Sequence, residues 1–165
     1  MKIRPENFGD ASTIHTLTEA AFEHAPHSDH NEARIVDALR EAGALTLSLV
    51  AEDGGQIVGH AAFSPVRING REGGWFGLGP VSVRPDRQKA GVGSAIVRDG
   101  LQRLRVMGAQ GCVVFGNPAY YGRFGFAADP RLRYAGAPDG YFQRLVLTGE
   151  APVGEAAYHP SFDVA

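Results

Sequence analysis

The chain contains one cysteine in 165 residues, Cys112, so no disulfide can form within a single copy. Cys112 lies inside the apolar run Cys112-Val113-Val114-Phe115 and reads as a small buried hydrophobe rather than a nucleophile. No stretch approaches the about 20 consecutive apolar residues that cross a bilayer. The opening Met1-Lys2-Ile3-Arg4 leads into no signal-type apolar run, so the expected compartment is the cytoplasm. Neither sign of charge is in excess: 16 Lys and Arg stand against 18 Asp and Glu, for a net charge of -2. The basic footprint of a nucleic-acid or membrane surface is therefore missing. No Gly-Lys-Ser or Gly-Lys-Thr occurs, which removes the lysine and magnesium ligand of a triphosphate-binding loop. The 22 glycines and 10 prolines fall between patterned segments and form no linker, repeat or low-complexity tract. A single domain over 1–165 is expected, with a core to about 148 and a tail over 149–165.

Apolar spacing then sets the elements. A short strand at 2–4 precedes a helix with Asp10 as N-cap and Ile14, Leu17, Ala21 and Phe22 on one face. A second helix carries Ile35, Val36 and Leu39 and ends near Gly43. Strands over 45–52, 56–68 and 74–83 follow, joined by Asp53-Gly54 and Asn69-Gly70, as in an antiparallel meander. The third of these strands has a parity fault. Phe76 and Leu78 are even-numbered and Val81 and Val83 are odd, so one face stays apolar only if an extra residue intervenes, as in a β-bulge near Gly79-Pro80. Pro80 also lacks an N–H for the ladder.

A helix from Gly91 to about Gly108 directs Val92, Ile96, Val97, Leu101 and Leu104 to a core, in spite of Gly100, which costs about 1 kcal/mol against alanine. The strand at 111–116 comes directly after it and should lie parallel to the strand before it. Asn117-Pro118 reads as N-cap and first residue of a short helix holding Tyr120 and Tyr121. A strand at 141–147 and an edge piece over 158–164, broken by Pro160, complete the pattern.

Residues 81–94 form the most informative stretch: strand, short basic turn, then a glycine-started helix. Unpaired N–H groups and the helix dipole make such a start an anion seat, and Gly91 and Gly93 allow close approach. A dinucleotide fingerprint from Gly91 fails, because its sixth place is Ile96. What remains is Gln88-x-x-Gly91-x-Gly93, with Tyr121-x-x-x-Gly125-Phe126 downstream. On these motifs and the order of elements the chain resembles the GNAT superfamily of acetyl-CoA-dependent N-acetyltransferases. The run Asn117-Pro-Ala-Tyr-Tyr-Gly-Arg-Phe-Gly-Phe126 is similar to a subgroup of small bacterial acetyltransferases.

The resemblance implies an α/β (α+β) fold: a mixed, mostly antiparallel central sheet with one splayed parallel strand pair and helices on both faces. It implies acetyl-CoA as co-substrate. Val81, Ser82 and Val83 would offer peptide groups to pantetheine, Gln88, Lys89, Ala90, Gly91, Val92, Gly93 and Ser94 would surround the pyrophosphate, and Asn117 and Tyr120 would add cofactor contacts. Val81 or Ser82 N–H groups would stabilise the oxyanion. Tyr121 matches the family's general acid, although Tyr120 beside it points about 100° away and only one ring can face the sulfur. Glu32 is the first candidate for acceptor contact or base, followed by His60 and Glu72. His24, His27 and His30 recur every third residue without a cysteine to complete a zinc tetrahedron, and no metal is expected. The implied reaction is acetyl transfer to a primary amine of a small molecule or peptide by direct attack in a ternary complex. A CoA-binding sensor without efficient transfer is the alternative. A monomer, or a homodimer through the late strands or the tail, is expected.

Overall fold

The computed structural model describes residues 1–164. In chain order it contains β1 (Lys2–Pro5), α1 (Ala11–Phe22), α2 (Glu32–Glu41), β2 (Leu47–Asp53), β3 (Gln56–Ile68), β4 (Arg71–Val83), α3 (Val92–Val106), β5 (Gly111–Phe115), α4 (Pro118–Tyr121), β6 (Leu132–Arg133), β7 (Phe142–Val146) and β8 (Gly154–Ala157). The main path of the sheet is β1-β2-β3-β4-β5-β7, and every pair along it is antiparallel except β4 with β5. β8 pairs with β3 and, in parallel, with β6.

Strand alternation distributes side chains to two faces. Leu49 and Ala51 of β2 join Ala61, Phe63, Ile96, Val97, Leu101 and Leu104 in the core under α3. Val50, between them in sequence, packs instead with Ile14 of α1 and Val36 of α2. Helices therefore cover both faces. The hairpins turn through residues of positive φ: Gly54 and Gly55 between β2 and β3, Asn69 and Gly70 between β3 and β4.

The expected bulge is present. On β3 the step from Ala61 to Phe63 covers two residues, whereas their partners on β4, Val81 and Leu78, are three apart. The extra residue lies at Gly79-Pro80, a cis peptide with Gly79 at φ 138°. Phe76, Leu78, Val81 and Val83 all reach the α3 core as a result. The parallel ladder between β4 and β5 runs from Trp75↔Gly111 to Leu78↔Val114 and goes no further.

Other expectations need correction. Asp10 precedes α1, but its side chain makes no capping bond; the carboxylate accepts from the Asn7 N–H at 2.7 Å and pairs with Arg4 at 2.8 Å. The tail strand is Gly154–Ala157 and not 158–164, where Pro160–Asp163 form a 3-10 turn. The shift is set by Asn69, whose amide donates to the Val153 carbonyl and whose oxygen accepts from the Glu155 N–H. Pro160 supplies no N–H, and Tyr158 and Phe162 turn inward against each other.

Gly100 is explained by close approach: a Cβ there would be driven into the Phe63 ring. Gly100→Ala should therefore destabilise the chain, the overpacking of about 1–3 kcal/mol outweighing about 1 kcal/mol of helix propensity. Urea unfolding checks this, and a midpoint that rises would contradict the packing.

Candidate active site

The turn between β4 and α3 folds as it does because Pro85–Arg87 make a 3-10 turn and two residues adopt positive φ, Lys89 at 63° and Gly91 at 87°. α3 then starts without a side-chain cap, which leaves its first N–H groups free. They face a cleft of about 280 Å³ whose lining includes Gln88, Lys89, Gly91, Gly93, Ser94 and Tyr120. Val83 and Val92 form its apolar floor, and Arg87 and Arg123 join Lys89 as nearby cations. Gln88 donates from Nε2 to the Val83 carbonyl at 3.1 Å, tying the turn to the strand. The Tyr120 hydroxyl lies 3.3 Å from the Ser94 hydroxyl, and a Cβ on Gly93 would stand 3.1 Å from it. Arg123 donates to the Tyr120 carbonyl at 2.9 Å and stacks its guanidinium 4.3 Å from the Tyr120 ring.

Beyond Leu78 and Val114, β4 and β5 part, leaving the edge of Val81–Val83 without β5. On the other side of this gap is a cavity of about 540 Å³. Leu78, Gly79, Pro80 and Val81 form one wall, Glu32 and Ile35 of α2 another, and Tyr121 a third. The two tyrosines of α4 thus point to different places: Tyr120 lines the cleft at the start of α3 and Tyr121 lines the cavity. The Tyr121 ring sits 5.0 Å from Tyr120 and 6.0 Å from Phe126, edge-on to both. Burial, with smaller contributions from Tyr120 and Cys112, pushes its phenol well above the usual range, so the hydroxyl keeps its proton. The Glu32 carboxylate is held by the Ser28 hydroxyl, 2.8 and 2.7 Å from its two oxygens.

The profile of the acetyltransferase (GNAT) domain family matches residues 2–128. The chain belongs to the GNAT acetyltransferases. It is 39% identical to the uncharacterized N-acetyltransferase YhbS of Escherichia coli K12, with 99% of each chain covered. A solved GNAT family acetyltransferase from Brucella melitensis, in complex with acetyl-CoA, superposes with a TM-score of 0.89 at 52% identity, covering 98% of this chain and 97% of that one. The structure of Escherichia coli YhbS in complex with CoA gives 0.88 at 35% identity, covering 99% and 92%.

Some sequence candidates of this GNAT chain stand apart from both spaces. Ser82 is buried with its hydroxyl 3.3 Å from Thr18 of α1, under the helices. Ala90 is exposed and lines neither space. Asn117 caps α4, its oxygen accepting from the Ala119 N–H at 2.9 Å. Glu72 is exposed at the far end of β4, opposite Arg67. His60 is fully buried and absent from the cavity lining; its Nε2 lies 2.8 Å from the Ser48 hydroxyl, which bonds Glu6, itself paired with Arg40. Cys112 is fully buried and burial raises its thiol, which removes it as a nucleophile. Among the described residues no group of three or more His, Cys, Asp or Glu is placed to hold a metal ion, and no helix is long and apolar enough to cross a membrane.

Other contributors were missed from sequence. Arg123 follows Tyr120 by three residues, a helical spacing that would have signalled the stacked pair. Tyr134, Tyr158, Phe162 and Asp163 line the cavity from segments with no readable periodicity. Their only signal is the density of aromatic residues after 133.

Burial holds His60 neutral and lowers its pKa to about 4. The unfolded chain, with histidine near 6.5, takes up the proton first, so this contribution to stability is complete above pH 6.5 and is lost as pH falls toward 4. Urea unfolding should show a loss of roughly 2 kcal/mol between pH 6.5 and 5, before carboxylates titrate. His60→Gln should flatten that slope, and an unchanged slope would assign it elsewhere.

Proposed function

We propose that the chain transfers an acetyl group from acetyl-CoA to a primary amine by direct attack in a ternary complex. The observation that carries this is the gap between β4 and β5, with an anion-ready cleft on one side and a larger, solvent-open cavity on the other. The complexes of the Brucella melitensis acetyltransferase with acetyl-CoA and of YhbS with CoA support the choice of cofactor. The chain's own residues fit that group. Free N–H groups of Val92, Gly93 and Ser94 suit a pyrophosphate, Lys89 and Arg123 complement its charge while Arg87 is paired with Asp53 at 2.7 Å, and Gly91 and Gly93 put no side chain in its way. The unpaired edge of Val81–Val83 suits the amide-rich pantetheine arm.

When bound, acetyl-CoA supplies an acyl group activated as a thioester. The Val81 N–H, on the strand edge turned away from β3, is the donor proposed for the negative charge that develops on the acyl oxygen, whereas Ser82 pairs with His60 of β3; one such donor contributes about 2.7–4 kcal/mol. Tyr121 holds a proton at its hydroxyl and gives it to the departing sulfur. Tyr120 anchors the cleft through Ser94 and does not serve as the acid. Glu32 receives the proton of the attacking amine, which is near pKa 10.4 when free and must be neutral to react.

Thiol release from acetyl-CoA across an amine panel tests the reading. Tyr121→Phe should lower kcat by about 10²–10⁴ and leave CoA affinity within a few-fold. Tyr120→Phe should act mainly on acetyl-CoA affinity, by up to about tenfold, the loss of one hydrogen bond. The reverse pattern would exchange the roles of the two tyrosines. Gly91→Glu should abolish CoA binding by calorimetry, since its carboxylate meets the pyrophosphate. Normal binding by that variant would remove the cleft as the phosphate seat.

A further inference from the structure

The acceptor cavity has a one-sided charge. Its lining includes Asp29, Glu32 and Asp163 and contains no lysine or arginine. Its walls are also aromatic, with Phe22, Phe115, Tyr121, Tyr134, Tyr158 and Phe162 contributing rings. Phe115 is 47% exposed at the end of β5, where an apolar side chain gains little from water, and stands edge-on to Tyr134 at 6.0 Å. The Tyr158 hydroxyl oxygen is buried with no hydrogen-bond partner, although its ring forms part of the wall. A buried hydroxyl left unpaired beside a cavity is a place where a ligand can complete the bonding. Burial and the nearby Asp163 charge both raise the Tyr134 phenol, which places that carboxylate's field on the aromatic wall.

Resting on the acetyl-transfer reading, we propose that the acceptor is a small organic dication: a primary amine that carries a second positive charge on an apolar body. The reacting nitrogen must be neutral at the moment of attack, so Glu32 alone suffices for it. Asp29 and Asp163 then face the charge that is kept. Cation–π contacts with the rings favour the same charge, and the rings also cover the methylene or aryl body between the two nitrogens. An acceptor bearing a carboxylate would meet like charge on the same walls. The cavity, at about 540 Å³, falls within the range of small-ligand sites. A peptide would need partners for its backbone, and the free edge of β4 that could pair with one is taken by the cofactor arm.

In the transfer a bond forms between the amine nitrogen and the acetyl carbon while the bond from that carbon to sulfur breaks. The ammonium first loses one proton through Glu32 to solvent; once the neutral nitrogen has bonded to the acetyl carbon, its second proton goes to Glu32 and the Tyr121 proton to the thiolate, and solvent carries the proton from Glu32 back to Tyr121, so one proton is released per turnover. The second cation is unchanged, and the product keeps one positive charge.

The test measures thiol release with α,ω-diamines from propane to hexane, the matching alkylamines, the matching ω-amino acids and a lysine-containing peptide. In parallel, calorimetry follows a bis-trimethylammonium alkane, which cannot be acylated, binding to the CoA-saturated protein. The best diamine should exceed its alkylamine in kcat/KM by about tenfold and its amino acid by about a hundredfold, the gap narrowing in high salt. Asp29→Asn and Asp163→Asn should each shrink the diamine-to-alkylamine ratio by about threefold or more, and each should weaken the bis-quaternary probe. Tyr158→Phe should raise KM for the diamine more than it lowers kcat. Probe binding that depends on Asp29 and Asp163, without thiol release from any amine, would sustain the charge class and sink the transfer reading. Thiol release with no preference for diamines, or with the amino acid or the peptide preferred, would overturn the charge class and leave transfer standing. Neither release nor probe binding would overturn both.

Discussion

One residue too many in β4 governs the rest of the site. Without the extra residue at Gly79-Pro80, an apolar face carrying Phe76 and Leu78 could not continue as Val81 and Val83, and the strand would expose one pair or the other. With it, the strand keeps its hydrophobic side on α3 but stops pairing with β5 at Leu78 and Val114. The cleft, the gap and the cavity all follow from that interruption. Antiparallel pairing of β4 with β3 continues beyond it through Ala61↔Val81 to Gly59↔Val83, so the gap opens on one side of a strand that is held firmly on the other.

The two spaces separate charge by sign. Cations gather where α3 begins, with Lys89, Arg87 and Arg123 about a helix start that is itself electropositive. Carboxylates gather on the far side with Glu32, Asp29 and Asp163. A helix of four residues sits between them, and adjacent tyrosines on it reach opposite ways. Burial then sets the chemistry of each group. Tyr121 keeps its proton, Cys112 stays a thiol and His60 stays neutral, each because water is excluded from the charged form.

Much of this could be read from residue order, and the failures have physical reasons. The parity of Phe76, Leu78, Val81 and Val83 located the bulge because a two-residue period leaves no other way to keep one face apolar. Gly91 and Gly93 located the cleft because a helix start with free N–H groups needs bare backbone. His60 failed as a base because its row on β3 faces the buried underside of α1 and α2, which titratability alone does not reveal. Asp10 holds the N-cap position but its side chain does not cap, because Arg4, brought near by the β1–β2 pairing, takes its carboxylate. The cavity's second half was illegible, because Tyr134 comes from an irregular segment after β6, and Tyr158 and Phe162 from an irregular segment and a 3-10 turn that follow β8, itself placed by long-range bonds to Asn69.

The measurement closest to the central claim is a crystal structure of the chain with CoA bound. The pyrophosphate should lie on the N–H groups of Val92, Gly93 and Ser94, pantetheine along the free edge of Val81–Val83, and the sulfur within hydrogen-bond reach of the Tyr121 hydroxyl. A sulfur beside Tyr120, or a pantetheine arm lying outside the gap between β4 and β5, would contradict this placement.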